Sequence, residues 1–514
     1  MDQNYSIMNN SSRTQIIAKN TILLYFRSIV VMLLSIYTSR VLLSILGVED
    51  YGLYNVVGGV VALFLSFKSI FAASVQRFIN FEKGKGNEEK VNEIFNTSVI
   101  IHICIAILFV VVVEICGLLY IPSKMVMPDG MLNTALFVFH CSVLATSISI
   151  FTIPYDAVII ANERMNFYAL QAIVESALKL IIVICIPLFP FEKLKTYAVL
   201  VLLVSLLMRI MSVQYSKRFP ECKKKYIWNK NTVKQLSSFA SWNILGCSVS
   251  SIIEEGSNFV INAFGGVGAN AARGIAYQVR NAIMSLSNNI IVASQPFIVQ
   301  KAASSDRNEF WSFIFKQSKF MFLIVFVTVL PIFIYAEKIL EIWLTVVPEN
   351  AAMYIRTVLI YMIVMSFQKS LDLAFKSYNK MPLYQIIDAI VCLTSLPICI
   401  LTLKLGAPIY SVFIVFSIIR CVDYICIIYL AKMQLGLKIS DFCKQVLFPA
   451  LKSLVVGTVI VYVFSNYFIP NSIWSLLLYI ILVCCLSVMS IVIIALTRKE
   501  KTIIFKFINN KIRK

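Results

Sequence analysis

The sequence predicts an all-α integral membrane protein with about fourteen transmembrane helices, arranged as two related six-helix bundles followed by two further helices. Of its 514 residues, 59% are hydrophobic and only 14% are charged, whereas roughly 25% of the residues of a soluble domain carry charge. Long apolar stretches recur along the whole chain. A helix of about 20 apolar residues crosses the bilayer and satisfies its own backbone polar groups, so each stretch is interpreted as a transmembrane helix.

The apolar stretches alternate with short polar segments that leave no room for a folded soluble domain. The first 20 residues are polar and lack the basic n-region of a signal peptide, so the first helix is expected to stay attached. The predicted spans are 21–43, 52–75, 97–119, 133–158, 166–189, 195–215, 237–263, 272–299, 312–335, 352–375, 383–403, 408–430, 446–468 and 472–496.

A sequence repeat supports two related halves. When residues 40–81 are moved along the chain without a gap, Gly47-Val48 aligns with Gly266-Val267, and Phe78-Ile79 aligns with Phe297-Ile298. Each half then contains about six spans. The expected segments are a polar N-terminus (1–20), a first bundle (21–215), a basic linker (216–235), a second bundle (236–430), two added helices (446–496) and a basic tail (497–514).

The net charge of +20 is explained mainly by membrane topology. Lysine and arginine are concentrated in alternate loops, which include 216–235 and 497–514, and such loops stay on the cytoplasmic side of a membrane. We therefore expect both termini in the cytoplasm. The basic loops can contact anionic membrane lipids, and no nucleic-acid-binding module surrounds them.

Several chemistries are not expected. The 13 cysteines form no CxxC pair and lie almost entirely in apolar spans, so disulfides are not predicted. With only two histidines, neither a metal centre nor another cofactor is predicted. The acidic residues of the short outer loops, Glu49, Asp50, Glu337 and Glu341, are better explained as solvated turns than as catalytic carboxylates, so we expect a protein that is not an enzyme.

Polar residues at membrane depth are the main candidates for function, because they are costly there. In the eighth span polar residues recur every seven residues, which places them on one helix face. The second span carries a related polar face. Such faces either join helices by hydrogen bonds or line a cationic, water-filled cavity. The candidate substrate-binding residues are Arg27, Asn55, Lys68, Gln76, Arg280, Asn281, Asn288 and Gln295.

Carboxylates in the spans are candidates for ion coupling. Glu254 and Glu255 in the seventh span and Asp388 in the eleventh have no basic partner within their own helices. Asp423 follows Arg420 by three residues, which is the spacing of a local ion pair. An unpaired carboxylate inside a bundle suits a proton or cation site.

Two stretches resemble the Wzx-type polysaccharide flippases of the MATE-like multidrug/oligosaccharidyl-lipid/polysaccharide exporter superfamily. They are RVLLSILGVEDYGLYNVVGGVVALF, at residues 40–64, and IPYDAVIIANERMNFYA, at residues 153–169. The resemblance implies two six-helix bundles with two appended helices. It also implies a protein that moves undecaprenyl-pyrophosphate-linked oligosaccharide from the inner to the outer leaflet of the bacterial cytoplasmic (inner) membrane, for O-antigen of lipopolysaccharide or another surface polysaccharide.

The resemblance also suggests roles for particular residues. In relatives that flip cell-wall precursors, arginines of the first, second and eighth helices bind pyrophosphate. Here Arg27 and Arg280 are the candidates in the first and eighth helices, and the second helix offers Lys68 instead. A cation site in the seventh, eleventh and twelfth helices would use Glu254 or Glu255, Asp388 and Asp423, with H⁺ or Na⁺ as the coupling ion. A polysaccharide polymerase and glycosyltransferases are the implied partners.

Two alternatives stay open at this point. A MATE-type ion-coupled multidrug exporter would be expected to have an acidic or aromatic cavity, whereas the candidate cavity charges here are mainly positive. A membrane-embedded polysaccharide polymerase or glycosyltransferase would need an extracytoplasmic catalytic loop, for which the predicted outer segments are too short.

Overall fold

The computed structural model describes residues 2–84, 87–162, 164–223, 229–303, 307–378, 380–467, 472–496 and 500–501. Within these ranges the backbone is almost entirely helical and contains no β-strand. Eleven helices in the described part of the chain are long and apolar enough to cross a membrane. The predicted all-α membrane fold class is therefore confirmed.

The helices follow the predicted spans closely. In the first half of the chain they are α1 (Asp2–Gly84), α2 (Glu88–Lys124), α3 (Leu132–Ala161), α4 (Met165–Cys185), α5 (Lys193–Ser216) and α6 (Lys230–Ala303). In the second half they are α7 (Arg307–Ile334), α8 (Ala336–Trp343), α9 (Ala351–Ser377), α10 (Met381–Leu393), α11 (Ser395–Lys404), α12 (Val412–Leu435), α13 (Ile439–Phe442), α14 (Phe448–Tyr467) and α15 (Ile473–Ile494). The predicted first and second spans lie in α1, the seventh and eighth lie in α6, and the eleventh is divided between α10 and α11.

Each of the two longest helices is interrupted at one glycine. Gly47 has φ 81° and ψ 177° inside α1, and Gly266 has φ 64° and ψ −167° inside α6. A positive φ is readily adopted by glycine, which has no Cβ. These are the two glycines that the sequence repeat aligned, so the chain turns between two spans at equivalent points of its halves.

The chain forms two compact units, Met1–Gly274 and Ile275–Lys514. In the first unit α3 packs against α1, α2 and α5, and its apolar core includes Val138, Phe139 and Val113. In the second unit α9 packs against α7 and α12, and α15 packs against α7 and α14. The first compact unit includes the seventh span, whereas the sequence divides its two predicted bundles at the linker 216–235.

A polar network joins the ends of several helices of the first unit on the side predicted to be cytoplasmic. Lys83 Nζ lies 2.9 Å from Glu221 Oε1, and it also donates to Asn162 at the end of α3. Asn92 Nδ2 donates to the backbone carbonyl oxygen of Glu221 at 2.8 Å. Burial by itself would raise the pKa of Glu221, but hydrogen bonds from its own backbone amide and from Lys83 outweigh burial and hold that pKa below its ordinary value.

Close packing at Gly52 gives a test of the first unit. A Cβ atom at Gly52 would overlap the backbone carbonyl oxygen of Val267, whereas a Cβ at Gly58 would have open space around it. Gly52→Ala should therefore lower the free energy of unfolding by about 1–3 kcal/mol, as overpacking does. Unfolding in mixed micelles measures this change. Gly58→Ala is the matched control in the same helix, and equal stability of the two variants would contradict the close approach.

Candidate functional site

Three charged side chains of the second unit meet inside the bundle; we call Asp388, Arg420 and Asp423 the charged triad. Arg420 Nη1 lies 2.6 Å from Asp388 Oδ1 and 3.1 Å from Asp423 Oδ2. The Asp423 side chain is fully buried, and the other two are mostly buried. Asp388, which has no basic partner in its own helix, thus receives one from α12.

Gln368 of α9 forms hydrogen bonds with all three members of the charged triad. Its Nε2 donates to Asp388 Oδ1 and to Asp423 Oδ2, each at 2.9 Å. Its Oε1 accepts from Arg420 Nη1 at 3.0 Å. Because three helices supply these four side chains, their packing fixes the geometry. Asp423 Oδ1 is buried and accepts no hydrogen bond in the described part of the chain.

The charged triad does not fit a metal ion in its present geometry. One ligand atom each from Asp388, Cys392 and Asp423 lies within 4.8 Å of the others, which is close enough for a shared cation. The Arg420 guanidinium, however, already lies against both carboxylates. A metal ion would have to displace it and would meet its positive charge.

Two cations of the second unit lie near each other on α6 and α9. The Arg280 side chain is only 6% exposed, and its guanidinium carbon lies 4.8 Å from the centre of the Tyr277 ring. Tyr277 in turn packs against Phe413, with ring centres 5.8 Å apart. Lys369 is close enough to Arg280 for the two positive charges to repel each other, and Asp372 of α9 is close enough to Lys369 to offset part of this repulsion. An anion beside them would relieve this repulsion, so we call Arg280 and Lys369 the cation pair.

The candidate carboxylates of the seventh span lie in the first unit. Glu255 Oε2 accepts a 3.4 Å hydrogen bond from Asn258, and both side chains lie against Gly59. The backbone carbonyl oxygen of Glu254 accepts from Arg273 at 2.8 Å. Both glutamates are half-buried. The Glu255 carboxylate therefore has polar surroundings within the first unit.

Asparagines join the two arms of α6 on either side of Gly266. Asn270 Nδ2 donates to Asn258 Oδ1 at 2.6 Å, and Asn262 Nδ2 donates to Asn270 Oδ1 at 3.1 Å. Asn262 also binds both backbone polar groups of Val126, in the loop between α2 and α3. Asn258, Asn262 and Asn270, which we call the asparagine cluster, are almost completely buried.

The remaining candidates are distributed over both units. In the first unit the Arg27 guanidinium lies 5.2 Å from the centre of the Tyr168 ring, Asn55 is half-buried with its Nδ2 donating to the carbonyl of Tyr51, and Gln76 is half-buried. In the second unit Asn281 is exposed. The side chains of Lys68, Asn288 and Gln295 lie outside the described residues.

The second unit also contains an apolar cavity of about 440 Å³. Side chains of α7, α9, α12 and α14 surround it, together with the π-helical turn Cys443–Leu447 that precedes α14. The lining includes Phe322, Phe326, Phe367, Leu451 and Leu454. Such a lining is suited to hydrocarbon rather than to water.

The fold and these sites define the class of protein: a multispan membrane protein with charged and polar groups inside its helical bundles. Its structure resembles an inward-facing multidrug resistance MATE family transporter of the MOP superfamily, with a TM-score of 0.65, 14% identity and coverage of 79% of this chain and 99% of that one. It also resembles the lipid II flippase MurJ in an inward closed conformation, with a TM-score of 0.68, 14% identity and coverage of 92% of this chain and 98% of that one.

A third similar structure is a MOP superfamily transporter from Pyrococcus furiosus, with a TM-score of 0.61, 14% identity and coverage of 82% of this chain and 96% of that one. No curated protein sequence matches the chain significantly. Residues 17–302 match the family model described as polysaccharide biosynthesis protein. The chain therefore belongs to the polysaccharide biosynthesis protein family and has the MOP superfamily fold, as the resemblance in its sequence implied.

Sequence reasoning missed two members of these sites. Lys369 and Gln368 are neighbours in α9, but Gln368 joins the charged triad whereas Lys369 interacts with Arg280. Lys369 could have been found from the sequence, because it is a charged residue within an apolar span. No comparable signal distinguishes Gln368, because a single amide in a helix gives no indication of what it contacts. Arg420 was predicted to pair locally, yet it also contacts a second helix.

Proposed function

We propose that the protein moves an undecaprenyl-pyrophosphate-linked oligosaccharide from the inner to the outer leaflet of the bacterial cytoplasmic membrane during surface polysaccharide synthesis. The observation that carries the proposal is the cation pair, because Arg280 and Lys369 bring two positive charges together inside a bundle. Membership of the polysaccharide biosynthesis family supports a sugar-containing substrate. Both termini would lie in the cytoplasm. Glycosyltransferase partners would act before transport, and a polymerase partner would act after it.

The chemistry of the cation pair suits a diphosphate. Arginine presents a planar fork that binds phosphate oxygens in pairs, and lysine adds a compact charge. The Tyr277 ring beneath Arg280 restricts the orientation of the guanidinium. A diphosphate would bring negative charge to both cations and remove their mutual repulsion. Asn281 follows Arg280 in the same helix and is exposed. Its side-chain amide would form hydrogen bonds with sugar hydroxyls.

The lipid part of the substrate has different requirements. An isoprenoid tail gains stability wherever it avoids water. The apolar cavity surrounded by α7, α9, α12 and α14, whose lining includes Phe322, Phe326 and Leu451, would accept a segment of such a tail. The cation pair and this cavity both belong to the second unit, so one unit would bind both ends of the substrate.

Arg280→Ala tests the proposal. Charge-assisted contacts to phosphate are worth about 1.5–3 kcal/mol, so headgroup binding should weaken about 10- to 150-fold at roughly 1.4 kcal/mol per decade. Arg280→Lys should restore part of the loss, because it returns the charge without the fork. Binding of undecaprenyl pyrophosphate to the purified protein and flipping of labelled lipid-linked oligosaccharide in proteoliposomes measure the effect.

Arg356→Ala is the matched control for this experiment. Arg356 also lies over a ring of the second unit, with its guanidinium carbon 5.9 Å from the centre of Phe333, but it pairs with Glu337 at 2.6 Å. Its loss should leave headgroup binding within about twofold, because surface pairs contribute little. Each variant must insert at wild-type levels. Wild-type binding by Arg280→Ala would show that the cation pair is not the headgroup site.

A further inference from the structure

We propose that the charged triad is a proton site in which the Arg420 guanidinium takes the place that an alkali-metal ion would otherwise occupy. The argument begins with geometry. Arg420 Nη1 lies within 3.1 Å of oxygen atoms of both Asp388 and Asp423. The same nitrogen donates to Gln368 Oε1 at 3.0 Å. The oxygens that a sodium ion would need already surround a permanently charged side chain.

The net charge of the triad favours a bound proton. Two ionised carboxylates and one guanidinium leave one net negative charge. A buried net charge is costly unless it is neutralised. A single proton bound to one carboxylate gives a neutral cluster, whereas a sodium ion would lie against the guanidinium. One proton per site is therefore the occupant that the charges favour.

Asp423 is the carboxylate that would hold this proton. Its Oδ2 already accepts from Arg420 and Gln368. Its Oδ1 is buried without a hydrogen-bond partner in the described part of the chain. A proton on Oδ1 would make this carboxyl group neutral, and a neutral polar group costs much less to bury without a partner than a charged one does. Asp388 Oδ1, in contrast, accepts from Arg420, Gln368 and the Cys392 thiol, so its ionised form is well solvated by the protein.

The neighbouring titratable groups do not alter this count at neutral pH. Tyr361 of α9 and Cys392 of α10 interact electrostatically with Arg420, and Tyr384 of α10 interacts with both aspartates of the triad and with Asp372 of α9. Tyrosine and cysteine are ordinarily neutral at pH 7. Asp372 pairs with Lys376 at 2.7 Å in its own helix, so its charge is compensated. The negative charge that remains belongs to the triad.

This inference rests on the proposed function in one respect only, which is the use of the bound proton to drive transport. In transport, a proton would bind to Asp423 from one side of the membrane and leave to the other, and the triad would alternate between zero and one negative charge. No other atom needs to be exchanged. The site itself can be measured on purified protein without any lipid-linked sugar, so failure of this inference and failure of the proposed function are separable.

Infrared difference spectroscopy and binding of ²²Na⁺ test the inference on the full-length protein in detergent. Spectra recorded between neutral and alkaline pH should contain a carboxylic acid band that is lost in Asp423→Asn and kept in the control Asp372→Asn. The wild-type protein should bind no ²²Na⁺ that depends on Asp423. Arg420→Met should gain ²²Na⁺ binding of at least tenfold over wild type, because it vacates a site with two carboxylates.

Three results would overturn the proton site. One is ²²Na⁺ binding by the wild-type protein that disappears in Asp423→Asn. Another is a carboxylic acid band that persists unchanged in Asp423→Asn. The third is a folded Arg420→Met variant that binds no more ²²Na⁺ than wild type. If Arg420→Met does not fold, the comparison of wild type with Asp423→Asn, a neutral replacement of nearly the same shape, still decides between proton and sodium.

Discussion

Lys319→Met should lower the free energy of unfolding by about 3–5 kcal/mol, because it breaks a buried ion pair and leaves its partner charged and buried. Lys319 Nζ lies 2.7 Å from Glu500 Oε2, and the two side chains are only 4% and 9% exposed. Lys319 also donates to the carbonyl oxygen of Ala495 at 3.3 Å. The pair thus ties α7 to the chain beyond α15. Unfolding of the purified protein in mixed micelles of increasing denaturing detergent measures the change.

The double variant Lys319→Met/Glu500→Met separates a lost pair from lost packing. Replacing both members of a buried ion pair by apolar side chains is often neutral or stabilising, so stability should return to within about 1 kcal/mol of wild type. Lys338→Met is the surface control, because Lys338 and Glu341 are 45% and 56% exposed and such pairs contribute about 0–1 kcal/mol. A loss in Lys319→Met no greater than in Lys338→Met would contradict the buried pair.

Asn270→Leu should lower the free energy of unfolding by about 2–4 kcal/mol, since each buried polar group left without a partner costs about 1–3 kcal/mol. Leucine has the same branched arrangement of heavy atoms as asparagine but offers no hydrogen bond. Asn258 Oδ1 would lose its donor, and Asn262 Nδ2 would lose one of its two acceptors. The same detergent titration measures the loss.

Asn281→Leu is the control for the asparagine cluster. It makes the same chemical change in the same helix, but the Asn281 side chain is exposed, so unfolding should shift by less than about 0.5 kcal/mol. The asparagine cluster joins the arms of α6 across the turn at Gly266. A variant at Asn270 that unfolds like the variant at Asn281 would mean that these buried hydrogen bonds contribute nothing to the turn.

Composition and periodicity alone predicted the class of fold, and eleven of the predicted spans coincide with helices of the described part of the chain that are long and apolar enough to cross a membrane. Apolar runs of sufficient length must form helices in a bilayer, because no other open structure satisfies the backbone there. The repeat also identified Gly47 and Gly266, whose positive φ angles require little more than the absence of a side chain. These features are local in the chain, so they can be read from it directly.

The partners of the charged side chains were decided only by tertiary structure. The sequence predicted the pair of Arg420 with Asp423 in its own helix, which the structure contains. It gave Asp388 no partner, whereas packing of α10 against α12 brings Asp388 within 2.6 Å of Arg420. Lys369 likewise interacts electrostatically with Arg280 of another helix, which its position in the sequence does not indicate. Helical periodicity fixes which residues share one face, but the face of a neighbouring helix that meets it depends on the packing of the whole bundle.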